Sequence, residues 1–341
     1  GVWQSSLVHM FLANAGVHAE KSSKYNVGID AELFGKLHLS ADAFIDKRTD
    51  ILTLDNSMMG YYGKNYYFDN IGKMTNKGVE LSAVWNDLRA NWGYSINGSV
   101  SFNRNKIDYM AEVAPAYSYN AQTGRPYGTL IGLVADGFYD VDDFNADGSL
   151  KADLPQPMFG AVQPGDIKYR DLDRSGFVDQ NDVTKVGKSP YPEWTYSLGA
   201  AFNYRGFDFS FLLQGIAGAS FNLLDNAVQT RAFVDNGNVY PIARGAWAYY
   251  PEQGIDTRAT ATYPRLTTQS NENNYQLSSF WVKSRNFMRV RNIEVGYNFR
   301  HHAKFRAAGI SNFRIYLNVT NPFTVSKLMS DYDLDPELLS Y

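Results

Sequence analysis

One stretch of the 341-residue sequence spaces oxygen-bearing side chains as a calcium loop does: Asp171-x-Asp173-x-Ser175-Gly176-Phe177-Val178-Asp179-x-x-Asp182. Calcium is a hard cation that takes roughly six to eight oxygen ligands, and a twelve-residue loop presents them at positions 1, 3, 5, 9 and 12. Here Asp171, Asp173, Ser175, Asp179 and Asp182 stand at those positions, Phe177 would add its carbonyl at position 7, and Gly176 allows the sharp turn at position 6. Asp182 replaces the longer bidentate glutamate, and no flanking helices are evident. The same residues also suit an Asx-rich turn held by its own backbone hydrogen bonds. An ion bound here would be structural, ordering the long segment 105–195.

Aromatic side chains form the second candidate set. Tyr61, Tyr62, Tyr66 and Tyr67, then Tyr117 and Tyr119, then Trp247, Tyr249 and Tyr250 all fall in long segments between the regular elements. Aromatic rings stack on the apolar faces of sugars, which makes these residues candidate substrate contacts. The alternative is that they pack the segments against one another, because large loops need cores of their own. Other motifs carry less. Gly187-Lys188-Ser189 echoes the end of a phosphate loop, but Asp182 stands where its first glycine belongs and Pro190 blocks the following helix. His301 and His302 are adjacent in a turn and would diverge, while His9, His18 and His38 are isolated. No nucleophile–base pairing and no singled-out carboxylate pair is visible, so no catalytic residue is assigned and the chain is not read as an enzyme.

Composition narrows the class. Net charge is −3, which gives no reason to expect nucleic acid, and cysteine is absent, which excludes disulfides and thiolate metal sites. No run of eighteen apolar residues exists, so a spanning helix is excluded, whereas a spanning β-barrel is not, because its alternating strands average out in any hydropathy window. Aromatics make up 15% of the chain, which suits strands and membrane-interface belts. Gly1-Val2-Trp3 does not begin a signal peptide.

Period-2 alternation predicts eight strands, near 24–32, 37–47, 78–86, 91–104, 196–204, 207–215, 287–299 and 312–320. Tyr196, Leu198, Ala200, Phe202 and Tyr204 share one face with Phe207, Phe209, Phe211 and Leu213 across the two-residue connection Arg205-Gly206. Short connections (33–36, 86–91, 205–206, 300–311) alternate with long ones (48–77, 105–195, 216–286). Short periplasmic turns and long extracellular loops are the habit of bacterial outer-membrane barrels. Trp85, Trp92, Tyr204, Phe207, Phe299 and Phe313 flank the short turns, where an interfacial girdle belongs. On this parity residues 1–23 and 321–341 are both extracellular, and at least one strand is expected to be missing at each end. The expected fold is all-β: an antiparallel transmembrane β-barrel, represented by the C-terminal strands of a larger one. A secreted or surface β-rich carbohydrate-binding module is the alternative; it accounts for the aromatics but not for the alternation of connections.

Three ordered stretches carry a resemblance: Gly165–Asp182 with Val186–Pro192 and the 196–215 hairpin, then Phe287-Met288-Arg289-Val290-Arg291-Asn292-Ile293-Glu294-Val295-Gly296-Tyr297, then Asn318–Thr324 with Tyr332-Asp333-Leu334-Asp335-Pro336-Glu337. Lys24–Asp30 fits an earlier strand. Together they resemble the C-terminal barrel region of SusC/RagA-type TonB-linked outer-membrane proteins. Pro322 departs from the family, which more often has Leu in what is expected to be a loop entry. The resemblance implies a barrel of about twenty-two strands, an N-terminal plug, energising by TonB through the part that is absent here, and a SusD-like lipoprotein lid. It further implies glycan or, less often, peptide cargo.

Overall fold

The computed structural model describes residues 14–55, 68–89, 91–226, 230–234, 237–299, 304, 307–310 and 312–337. Tyr61, Tyr62, Tyr66, Tyr67, His9, His301 and His302 lie outside the described residues.

Eight strands form one antiparallel sheet in which every strand pairs with its chain neighbour. They are β1 (Lys21–Leu33), β2 (Leu37–Leu54), β3 (Phe68–Leu88), β4 (Trp92–Tyr109), β5 (Trp194–Tyr204), β6 (Phe207–Ala217), β7 (Phe287–Asn298) and β8 (Arg314–Ser326). The turns explain the tight corners. Arg205 (φ 47°) and Gly206 (φ 95°) are both left-handed, as a two-residue I′ hairpin requires, and the twist of such a turn matches that of the strands. Phe34 and Gly35 repeat the pattern before β2.

Several strands outrun the expected alternation. The expected loop 48–77 is mostly strand, because β2 continues to Leu54 and β3 starts at Phe68. The alternation is lost there because the register shifts between Arg48 and Ile51 and again between Ile51 and Leu52, with Asp50 left-handed at φ 57°. Such bulges flip the following side chains to the other face. Likewise Asn321-Pro322-Phe323-Thr324 is not a loop entry but the middle of β8. The β7–β8 register shifts between Val290 and Asn292, and Asn321 is left-handed at φ 50°. Proline has no N–H to give to a ladder, so a bulge is one of the few places a strand tolerates it.

The register keeps the apolar face continuous. Leu198 opposes Leu213, Phe202 opposes Phe209, Phe209 opposes Val295, and Val295 opposes Leu317. Yet this face is bare: Val27 is 72% exposed, Phe207 59% and Leu317 69%. An apolar surface of this extent is far above what a water-facing surface sustains, since each buried Å² is worth about 25 cal/mol. Lipid removes that cost. The eleven residues of β5 measure about 34 Å and, at a tilt of about 40–45°, rise about 25 Å, the height of a barrel's apolar band. Rings mark both rims: Phe207–Tyr297 (4.6 Å between centroids) and Phe299–Phe313 (5.4 Å) at the short turns, and Phe102–Trp194 (4.6 Å) at the other end. The opposite face is polar. Arg314 there binds Asp208 and, at 2.6 Å, Glu294, and Ser99 meets Ser197 at 2.8 Å.

The buried apolar cluster lies in the loops instead. Leu133, Ile167, Tyr169 and Val178 follow β4; Phe221, Leu223, Tyr263 and Trp281 follow β6; Leu328 and Leu334 follow β8. Three connections thus share one core and form a folded cap at the long-loop end. A soluble sandwich would have put that core under the sheet.

Candidate functional site

The cap is organised by a buried carboxylate. Asp166 is fully buried and accepts from Arg265 Nε at 2.7 Å, from the side-chain amides of Asn271 and Asn274 at 2.9 Å each, and from the Gln163 backbone N–H at 2.8 Å. Asn274 also accepts the Ile167 N–H (2.7 Å), Asn273 donates to the Ile167 carbonyl (2.9 Å), and the Trp281 indole donates to the Asn274 carbonyl (2.7 Å). Buried polar groups must be paired in this way or they cost more than they contribute. Asn271, Asn273 and Asn274 went unnoticed in the sequence. The only signal was an amide-rich run in a loop, which reads equally well as a solvated turn.

The acid loop is built on this frame. Ligand oxygens of Asp171, Asp173 and Asp182 lie within 4.8 Å of one another. Gly176 has φ 85°, as position 6 demands. The carboxylates are also held by backbone: Asp171 accepts from Ser175 N (3.1 Å) and Gly176 N (2.8 Å), and Asp173 from Ser175 N (2.9 Å). Asp182 is buried and accepts from Leu172 N (2.6 Å) and Asp179 N (2.8 Å). Asp179 departs from the expected ligand set, for it caps a short 3-10 turn by accepting the Asn181 N–H at 2.6 Å and does not join the three-carboxylate cluster. Ser175 Oγ donates to the Phe177 carbonyl at 3.2 Å, so positions 5 and 7 point to the same side. The hydrogen bond from Ser175 holds the Asp173 carboxyl below the usual range.

The first two candidate sets meet. Tyr117 and Tyr119 stack with centroids 5.2 Å apart and planes 8° from parallel. The hydrogen bond to Asp173 pushes the Tyr117 phenol up. The side-chain amide of Asn120 donates to the Asn181 carbonyl at 3.0 Å, tying the tyrosine turn to the acid loop. Tyr117 remains 38% exposed. The remaining aromatic candidates, Trp247, Tyr249 and Tyr250, divide. Trp247 is only 8% exposed and lies against Gly165, which puts its ring in the loop core and not at a surface for ligand. Tyr249 carries Arg258 over its ring at 3.8 Å, and Tyr250 is 52% exposed.

Beside the cap, a polar cavity of about 700 Å³ opens against β2–β4, bordered by Asp46, Arg48, Asn76 and Asn105 of the wall and by Thr129 and Lys185 of the loop. On the far side the segment after β8 returns to the wall. Arg289 donates to Asp335 (2.7 Å), Glu337 and Thr324, and Arg291 donates to Glu337 (2.7 Å) and to Gln214 (2.9 Å). Arg285 donates to the carbonyls of Pro336 (2.9 Å) and Pro190 (3.0 Å). Two stretches far apart in sequence, Phe287–Arg291 and Tyr332–Glu337, thus become one ion-paired latch. Burial alone would raise the Asp335 carboxyl, but the bond from Arg289 leaves it lowered.

These features agree with known proteins. A family model described as TonB dependent receptor-like, beta-barrel, matches residues 6–321. TonB-dependent receptor P3 of Formosa agariphila is 25% identical over 95% of this chain and 31% of its own length. TonB-dependent receptor SusC of Bacteroides thetaiotaomicron is 26% identical over 96% of this chain and 30% of its own. The chain therefore spans about a third of the length of these curated relatives. The RagAB peptide importer in its closed-closed state superposes with a TM-score of 0.62 at 20% identity, covering 90% of this chain and 32% of that one. The soluble-module alternative is overturned by this match together with the bare apolar wall. The chain belongs to the TonB-dependent receptor β-barrel family, and its sheet is a section of an outer-membrane barrel wall.

Proposed function

We propose that the chain supplies the C-terminal wall and part of the extracellular cap of an importer that takes up oligosaccharides. A SusD-like lipoprotein would close over the cap, and TonB would energise transport through the rest of the protein. The observation that carries this reading is the Tyr117–Tyr119 stack, held on the acid loop and partly open to solvent. A flat, rigid aromatic pair at the outer mouth suits the apolar faces of sugar rings. Tyr250 would be a second contact. Calcium at Asp171, Asp173 and Asp182, with the Phe177 carbonyl, would order the loop that carries the stack, so metal and sugar binding would be linked.

The test uses the full-length receptor. Tyr117→Ala should weaken oligosaccharide binding by about threefold to tenfold, the worth of one stacking contact. Binding that tracks peptides and ignores oligosaccharides would move the reading to peptide import, which is what the RagAB neighbour is named for. Asp173→Asn should weaken calcium by at least about tenfold, and a chelator should loosen the oligosaccharide in parallel. Failure to copurify any surface lipoprotein from the native membrane would count against the lid.

A further inference from the structure

The outward face carries charge just above the upper aromatic rim, and most of it is positive, with Asp108 two residues beyond Lys106 on the same face. Directly paired strand residues share a face, so the register places Lys77 beside Arg104, and Lys47 and Lys106 on either side of Thr75. The next row toward the membrane is Val79 beside Phe102, and Phe102 is paired with Trp194. These four cations therefore stand on the lipid side of the wall. Arg104 is two residues beyond Phe102, which is about 5 Å higher along a tilted strand. Its guanidinium lies 5.7 Å from the Phe102 ring, as the shared face requires. This is headgroup depth.

Like charges directly opposite each other destabilise a sheet, with Cβ atoms only about 4.5–5.5 Å apart. Arg104 is partly compensated by Glu193 at 2.6 Å, and Lys106 by Asp108 at 3.7 Å. Among the described residues neither Lys47 nor Lys77 takes part in an ion pair. An anion arriving from outside would supply the missing partner for a patch about 10 Å across, two strand spacings wide. We propose that Lys47, Lys77, Arg104 and Lys106 form a site for the phosphate headgroup of an outer-leaflet lipid. Ammonium groups act as point-charge phosphate binders, and basic side chains at a membrane surface are drawn to anionic lipid. The proposal rests on the lipid-facing assignment of the apolar wall and is independent of what the receptor imports.

Lys77, Arg104 and Lys106 also border the polar cavity, which makes an acidic substrate the competing occupant. The experiment separates the two. Full-length receptor in mild detergent is offered bisphosphorylated lipid A, dephosphorylated lipid A or inorganic phosphate, and bound lipid is counted by native mass spectrometry. The wild type should retain the phosphorylated lipid about tenfold or more over the dephosphorylated one. Lys47→Gln/Lys77→Gln/Lys106→Gln should lose that preference, and the corresponding triple Arg variant should keep it, which separates charge from folding. Equal retention of both lipids by the wild type, or an undiminished preference in the Gln variant, would overturn the site. So would a Gln variant that keeps the lipid but loses binding of a uronic-acid oligosaccharide, for the cations would then serve the cavity.

Discussion

Replacing Asp166 with alanine should open the cap while leaving the barrel wall intact. The carboxylate is completely buried and receives four hydrogen bonds, from Arg265, Asn271, Asn274 and Gln163. Breaking a buried ion pair by removing one partner costs about 3–5 kcal/mol. Arg265 keeps 23% of its side chain exposed, so water can recover part of its solvation. The two asparagine amides have no such recourse. We therefore expect about 3 kcal/mol, the lower end of that range. The wall and the cap do not share their apolar packing, so the loss should appear as local opening of the cap. Hydrogen exchange is the assay. Amides of Ile167–Tyr169, which pair with the Ala135–Phe138 strand, should exchange about a hundredfold faster, since each 1.4 kcal/mol is a factor of ten. Amides of β5 and β6 should be unchanged. A rise of under about fivefold at 167–169 would refute the central role of Asp166. Equal loss of protection in the wall strands would refute the division into wall and cap.

Three further outcomes are expected. Gly165 is left-handed (φ 89°), and an added Cβ would lie 2.5 Å from the Trp247 ring; Gly165→Ala should destabilise the cap by about 2–4 kcal/mol through strain and overpacking, read as earlier proteolysis within 160–170. Burial pushes the Tyr139 phenol up to about 12. A raised phenol contributes stability that is whole below its unfolded value near 10 and is lost as pH rises through about 12. Ultraviolet titration should therefore lose one late-ionising tyrosine in Tyr139→Phe, and an unchanged curve would contradict this. Glu337→Gln removes the carboxylate shared by Arg289 and Arg291 and should release residues 333–337 to limited proteolysis, at a cost of about 2–3 kcal/mol; unchanged resistance would show that the latch does not hold the segment.

How much was legible in the sequence follows from where water and lipid act. Within the lipid band the two faces of each strand meet different solvents, so side chains must alternate, and all eight strands could be read from Tyr196–Tyr204, Phe207–Leu213 and their counterparts. Arg205-Gly206 likewise announced its hairpin, because the left-handed pair that the turn demands needs a glycine. Above the band both faces are wet and the constraint disappears. The ends of β2, β3 and β8 could not be read for that reason, and bulges at Arg48–Leu52 and opposite Pro322 scrambled what pattern remained.

The acid loop was legible as a spacing, since Asp171, Asp173 and Gly176 are neighbours along the chain. That Asp179 turns away to cap its own turn was not, because capping and ligation ask for the same residue type. The aromatic candidates were legible only as a class. Chain order could not distinguish Tyr117, stacked and partly exposed, from Trp247, which is packed beneath Gly165. The joining of Asp166 to Asn271–Asn274, of Arg289 and Arg291 to Glu337, and of Lys77 to Arg104 was decided by tertiary structure alone. Each of these pairs residues from different strands or loops, and their attraction or repulsion acts only once strand register has brought them within a few ångströms.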